Sequence, residues 1–249
     1  MPLPFFYIES FSDDQSYLTL SEETSKHIIQ VLRMKEGEHL QLTNGKGKIV
    51  TAEIIQEHKK ATEVKVLSTS HIAPRTSNIT IAISLIKNNS RFEWFLEKAT
   101  EIGVSEIIPL ICDRTEKQNF RHDRMNNILI SAMLQSQQAW LPKLQEPTMF
   151  KEIIKTLTAQ NKYIAHCEQQ EKINFSNILN SNKKEQTSQV LPRGEDLGGA
   201  LILIGPEGDF TQDEIESAKQ NNFIPVSLGE TRLRTETAGI VACVLLNQK

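Results

Sequence analysis

Two loops in the C-terminal part of the chain hold the side chains best suited to chemistry. The first is Gly205-Pro206-Glu207-Gly208, preceded by the apolar run Leu201-Ile202-Leu203-Ile204 and followed by Asp209-Phe210. Glycines let backbone approach a ligand closely and take unusual dihedrals, and Pro206 stiffens the turn. The pattern is neither G-x-G-x-x-G nor a P-loop, so it gives no sign of a dinucleotide or phosphate cradle. Glu207 would repel a phosphate and suits a cationic or hydroxyl-rich ligand. The plain alternative is an ordinary turn between strand and helix. The second loop runs from Ser227-Leu228-Gly229 to Leu233-Arg234-Thr235-Glu236-Thr237-Ala238. Arg234 supplies a forked donor. Thr235 reads as a helix N-cap that leaves its neighbours' backbone N–H groups free. Glu236, in the first turn, either complements the helix dipole or acts as a base.

These loops need strands to deliver them. Ala200 to Ile204 and Ile224 to Leu228 are short apolar runs that read as buried strands, and Thr211-Gln212-Asp213-Glu214 is a capping box opening a helix to Gln220. Thr235 to Asn247 reads as a very apolar final helix, which serves as core, as an oligomer interface, or as both. Two neighbouring strand ends would then present both loops to one ligand, as at the ligand crevice of open α/β sheets. Upstream, Ile79 to Leu85, Glu106 to Ile111 and Lys162 to His166 are further strands. Helices alternate with them: one capped by Ser90 and ended by Gly103, and one within residues 121–139. Such alternation implies a parallel sheet with helices on both faces. The polar stretch 168–198 reads as a helix fragment plus a mobile loop. The first seventy or so residues differ: a strand within residues 3–9, a helix capped by Ser21 and stopped by Gly37, then strands from Glu38 to Ser70 with Asn44-Gly45 as a turn. They suggest a small β-barrel. Ala73 to Asn78 is the linker candidate.

Other cations are candidates for a nucleic-acid surface. Lys87 and Arg91 flank a strand-to-helix loop that would hold a phosphate or simply be solvated. Arg114, with Lys117, Arg121 and Arg124, forms a mild patch broken by acids, or the mixed surface of a helix. His27 and Arg33 lie on the helix begun by Ser21, where His27 either meets RNA or caps. His166 and Cys167 end a strand without a second ligand set near in sequence, so no metal site is expected.

Composition sets broad limits. A chain of 249 residues with 39% apolar and 24% charged residues is that of a globular protein with one or two domains. No apolar run is long enough to span a bilayer, and the N-terminus does not read as a signal peptide. Three scattered cysteines, Cys112, Cys167 and Cys243, fit a reducing cytoplasm better than a disulfide framework. The net charge of −3 leaves any nucleic-acid surface to local patches.

Gly205-Pro206-Glu207-Gly208-Asp209-Phe210 followed by Leu228-Gly229 and Leu233-Arg234-Thr235-Glu236-Thr237-Ala238 resembles the signature of the RsmE type of SPOUT methyltransferases. The resemblance extends over nearly the whole chain. It takes in His27 with Val31-Leu32-Arg33 and Gly37, Leu85-Ile86-Lys87 through Arg91, Glu97 to Val104, Pro109-Leu110, Arg114, and Gln135-Ser136 with Pro142. Leu134 and Gln137-Gln138 depart from the family pattern, as does Pro2-Leu3-Pro4.

The resemblance implies an α/β protein: a PUA-like RNA-binding β-barrel over residues 1–72 and a SPOUT domain with a deep trefoil knot over residues 73–249. It implies S-adenosylmethionine bound by Ile204, Gly205, Pro206, Glu207, Gly208, Leu228, Gly229, Leu233, Arg234, Thr235, Thr237 and Ala238. It implies methylation of N3 of a uridine in the 16S rRNA of the small ribosomal subunit by a homodimer without membrane or metal. Arg234 is then the first candidate for the electrostatic role, with Glu207 or Glu236 as base. His27, Arg33, Lys87, Arg91 and Arg114 are RNA contacts. The alternatives are a SPOUT methyltransferase acting on another RNA and a non-catalytic RNA-binding protein.

Overall fold

The computed structural model describes residues 3–12, 15–74, 78–116, 119–168, 172–176 and 199–247. Residues 75–77 of the expected linker and most of the stretch 168–198 lie outside them. The chain divides into two compact units, Met1–Pro74 with Ile130–Leu141, and Arg75–Leu129 with Pro142–Lys249. No helix among the described residues is long and apolar enough to cross a membrane.

The first unit is built on a five-stranded sheet of β1 (Phe5–Tyr7), β2 (Tyr17–Thr19), β3 (His39–Thr43), β4 (Lys48–Gln56) and β5 (Glu63–His71), in the order β1-β3-β4-β5-β2. The β1–β3 pair is parallel and the other pairs are antiparallel. Along β4 the burial alternates residue by residue, as expected of a strand with one face on the core. That core comprises Phe6, Leu18, Ile28, Leu40, Leu42, Val50, Ile54 and Val64 among others. Ser21 caps α1 (Glu22–Lys26) by accepting from the Thr24 N–H, as its residue type predicts. The helix widens into a π-turn at His27–Val31 and ends before Arg33, whose φ of 56° is left-handed; Gly37 belongs to a later turn. Residues 130–141 join this unit through backbone pairing. Leu141 N–H donates to the Gly45 carbonyl (2.8 Å), Gly47 N–H donates to Ala139 (2.9 Å), and the Trp140 indole donates to Ile72 (3.2 Å).

The second unit carries a parallel sheet. Its strands are β6 (Ile79–Ser84), β7 (Glu106–Ile111), β8 (Lys143–Leu144), β9 (Thr148–Met149), β10 (Asn161–Ala165), β11 (Ile173–Asn174), β12 (Ala200–Ile204) and β13 (Ile224–Ser227). The order is β11-β13-β10-β12-β6-β7-β8, with β9 also on β7. Every residue of β12 and nearly every residue of β6 is buried, which is why both read as unbroken apolar runs. The helices are α2 (Asn89–Ile102), α3 (His122–Gln135), α4 (Phe150–Thr156), α5 (Gln212–Gln220) and α6 (Thr235–Asn247); the division between the units falls within α3.

The expected strand ends are therefore not neighbours. β10 lies between β12 and β13, and Ala165 pairs with Ile204 on one side and Val226 on the other. A second correction concerns α2. Asn88, not Ser90, is the N-cap, because its side chain accepts from the Ser90 N–H (3.0 Å). Gly103 ends that helix with φ 100°, as its residue type predicts.

α6 packs on α2, β6 and β12. The approach is close at Gly239, where a Cβ would lie 2.6 Å from the Phe95 ring and 2.8 Å from Ile83 Cδ1. Both neighbours are fully buried and cannot swing away. Gly239→Ala is expected to destabilise the protein by about 1–3 kcal/mol through overpacking, despite the higher helix propensity of alanine. Chemical denaturation would show this as a lower midpoint with an unchanged slope.

Candidate functional site

The three parallel strands β12, β10 and β13 end at one level, and the loops that leave them enclose two adjoining cavities. The first, of about 260 Å³, is walled by Ala165, Cys167, Ile204 to Glu207, Asp209, Arg232 to Thr235 and Ala238. The second, of about 330 Å³, is walled by Ala165 to Cys167, Lys172, Val226 to Leu233 and Ala238. Ala165, Cys167, Arg232, Leu233 and Ala238 border both.

The Gly205–Gly208 loop is held by its carbonyls. The Thr235 hydroxyl donates to Gly205 (3.0 Å), Asp209 N–H to Pro206 (2.9 Å), Arg232 Nη2 to Glu207 (3.3 Å) and Arg114 Nη1 to Gly208 (2.8 Å). Four consecutive carbonyls are thus fixed by groups from three parts of the chain. The loop is pre-shaped rather than waiting for a ligand to order it. Gly205 is closely packed: a Cβ there would lie 3.1 Å from the buried Phe210 ring, tighter than an ordinary contact. Asp209, at φ 63°, turns the chain; its carboxylate accepts from Cys167 N–H (2.7 Å) and Phe210 N–H (2.8 Å), tying this loop to the end of β10. On the other side Gly229 has φ 142° with nothing within 4 Å of a Cβ, so there the backbone and not a neighbour demands glycine.

The expected residues are sorted by this geometry. Ile204, Gly205, Pro206, Glu207, Leu233, Arg234, Thr235 and Ala238 border the first cavity. Leu228 and Gly229 border the second, which also shares Leu233 and Ala238. Gly208 and Thr237 are in neither wall. Thr235 is no N-cap: it is the first residue of α6, and its hydroxyl goes to Gly205. Glu236 also lies outside both walls. It is buried, with Oε1 3.8 Å from Arg91 Nε and, among the described residues, no hydrogen-bond partner for Oε2.

The cations differ in their freedom. Lys87 pairs with Glu116 (3.1 Å), Arg91 with Glu236, and Arg114 braces the Gly208 carbonyl. Among the described residues the Arg234 guanidinium has no polar partner, and it borders the first cavity. In the first unit His27 sets its ring edge against Phe6 at 5.8 Å, and Arg33 stands exposed beside Val31 and Leu32.

Sequence reasoning missed Arg232, His166, Cys167 and Asp209 as wall residues. The arginine two places before Arg234 was a readable signal, but the others join only once β10 is placed between β12 and β13. Burial and the nearby Asp209 charge push the Cys167 thiol up from its ordinary value.

Residues 73–247 match the family described as RNA methyltransferase domain, and residues 20–67 match the RNA methyltransferase PUA domain. The chain belongs to this RNA methyltransferase family, in the branch named ribosomal RNA small subunit methyltransferase E. One such relative, from Buchnera aphidicola (subsp. Schizaphis graminum), is 30% identical over 99% of this chain and 96% of its own. Among solved structures, a probable rRNA-methyltransferase from Porphyromonas gingivalis is 37% identical with TM-score 0.83, covering 97% of this chain and 95% of that one. The ribosomal RNA small subunit methyltransferase E from Neisseria gonorrhoeae, bound to S-adenosyl methionine, is 27% identical with TM-score 0.80, covering 97% and 95%.

Proposed function

We propose that the protein transfers the methyl group of S-adenosylmethionine to N3 of a uridine in 16S rRNA of the small ribosomal subunit. The observation that carries the reading is the pre-shaped loop pair. The four-carbonyl anchoring of Gly205–Gly208 and the glycine turn at Gly229 enclose adjoining cavities at three strand ends. S-adenosylmethionine carries a sulfonium, an ammonium and a ribose but no phosphate. A site bordered by Glu207 and Asp209 and lacking a phosphate cradle suits it.

The first unit serves as a PUA-like barrel that docks RNA through His27 and Arg33. The second is a SPOUT domain threaded as a deep trefoil knot, with Ile204 to Gly208, Leu228-Gly229 and Leu233 to Ala238 as cofactor loops. The reach of Thr235 back to Gly205, across the β10 position, supports that threading. Lys87, Arg91 and Arg114 are proposed RNA contacts, with Arg114 also committed to the loop. The protein works as a homodimer through α6, where the apolar Val241, Val244 and Leu245 are partly open.

Methyl transfer is an in-line displacement, and alignment of nucleophile and methyl supplies much of the rate. Uracil N3 bears a proton at neutral pH and attacks only as that proton leaves. Charge then grows on the flanking carbonyl oxygens, where the unpaired Arg234 guanidinium stabilises it. The target base must leave its stack to enter the cavity. Glu207, at the cavity wall, is better placed as the proton acceptor than Glu236, which lies outside both walls.

The cofactor site is tested by alkylation. Cys167 borders both cavities and is exposed, whereas Cys112 and Cys243 are buried. Iodoacetamide is expected to modify Cys167 first, faster as pH rises through its raised pKa, and to abolish cofactor binding. Saturating S-adenosylhomocysteine should protect it. Equal labelling with and without that ligand, read by peptide mass spectrometry, would contradict a cofactor site here.

A further inference from the structure

His166 is the first residue after β10 and is only 6% exposed. Among the described residues neither of its ring nitrogens has a hydrogen-bond partner, and the residue borders the 330 Å³ cavity. Buried polar side chains are nearly always paired, so two orphaned nitrogens beside a cavity call for a partner that the described residues do not supply. We propose that His166 makes the side-chain contact to the nucleoside half of S-adenosylmethionine, placing adenine and ribose in the 330 Å³ cavity. This rests on the cofactor reading above.

Three observations support the assignment. First, the ring is held neutral: burial lowers its proton affinity, and so does the Lys172 charge, against the opposing pull of Asp209 and Glu168, with Lys219 adding a smaller push downward. A neutral imidazole offers one donor and one acceptor. That pair matches ribose hydroxyls or the edge of adenine, which offer a donor and an acceptor side by side. Second, the carboxylates of Glu207 and Asp209 border only the other cavity, which suits the ammonium and sulfonium end, while Arg232 borders both cavities and Lys172 and Glu230 border the 330 Å³ one. Third, Lys172 is already committed, its Nζ donating to the His166 carbonyl at 3.1 Å, which fixes the backbone from which the ring projects.

The test uses the full chain, with S-adenosylhomocysteine and 5′-methylthioadenosine as probes in calorimetric titrations. His166→Phe keeps a ring of similar size but neither nitrogen, and is expected to weaken both probes on the order of tenfold or more. His166→Asn, which restores a donor and an acceptor, should recover part of the loss. In methylation assays His166→Phe should raise KM for the cofactor and leave kcat nearly unchanged. In the unsubstituted protein, 15N-histidine spectra should show the His166 ring nitrogens moving on saturation with S-adenosylhomocysteine. Wild-type affinity in His166→Phe, or ring nitrogens unmoved by the ligand, would overturn the proposal while leaving the cofactor reading in place. Failure of the unsubstituted protein to bind S-adenosylhomocysteine would overturn both.

Discussion

Replacing Arg234 by alanine is expected to lower methyl transfer on the order of 10²–10³-fold while leaving affinity for S-adenosylhomocysteine within a few-fold. The split follows from the position of the side chain. Arg114 and Arg232 hold loop carbonyls, so their removal would disturb the cofactor cradle itself. The Arg234 guanidinium, without a polar partner among the described residues, is free for a charge that arises only during reaction. Its backbone still starts α6, with Ala238 N–H donating to its carbonyl at 2.8 Å, so alanine keeps the fold. Arg234→Lys should recover only part of the rate, because an ammonium cannot reproduce the planar fork. Single-turnover kinetics beside calorimetry separates the two effects, and unchanged turnover in a folded Arg234→Ala protein would remove this residue from the mechanism.

The largest stability effect is expected at Phe210. Its ring is fully buried, lies under Gly205 and stacks at a tilt on Phe150 with centroids 5.5 Å apart. Phe210→Ala should cost about 3–5 kcal/mol by cavity formation. At roughly 2–4 °C per kcal/mol for a chain of this size, the melting temperature should fall by about 6–20 °C. The same ring sets the height of the Gly205–Gly208 turn, so cofactor affinity should fall together with stability. Phe150→Leu touches only the far side of the pair and should lower stability without a comparable loss of affinity. Equal loss of affinity in both would mean that the turn does not depend on Phe210.

What could be read ahead of the structure was local. Thr211 and Glu214 form the capping box in both directions, Gly103 ends α2 in the left-handed region, and the uninterrupted apolar run of β12 is buried along its length. Each of these signals involves residues within one turn or one strand. The failures involve pairings that no short pattern encodes. Nothing near Ala165 announces that β10 would separate β12 from β13, and without that placement His166 and Cys167 look like the unremarkable end of a strand. Nor does the stretch 130–141 announce its pairing with Gly45, Gly47 and Ile72 in the first unit. Thr235 looked like a cap because its residue type and position favour one, but the carbonyl of Gly205 outcompeted the helix for its hydroxyl.

The most direct test of the account is methyl transfer from labelled S-adenosylmethionine to purified small ribosomal subunits taken from cells that lack this protein. The product is mapped by nuclease digestion and mass spectrometry. The account predicts label on N3 of one 16S rRNA uridine, and none on naked transfer RNA incubated in parallel. Label on the transfer RNA alone, or no transfer to either RNA by protein that binds the cofactor, would contradict it.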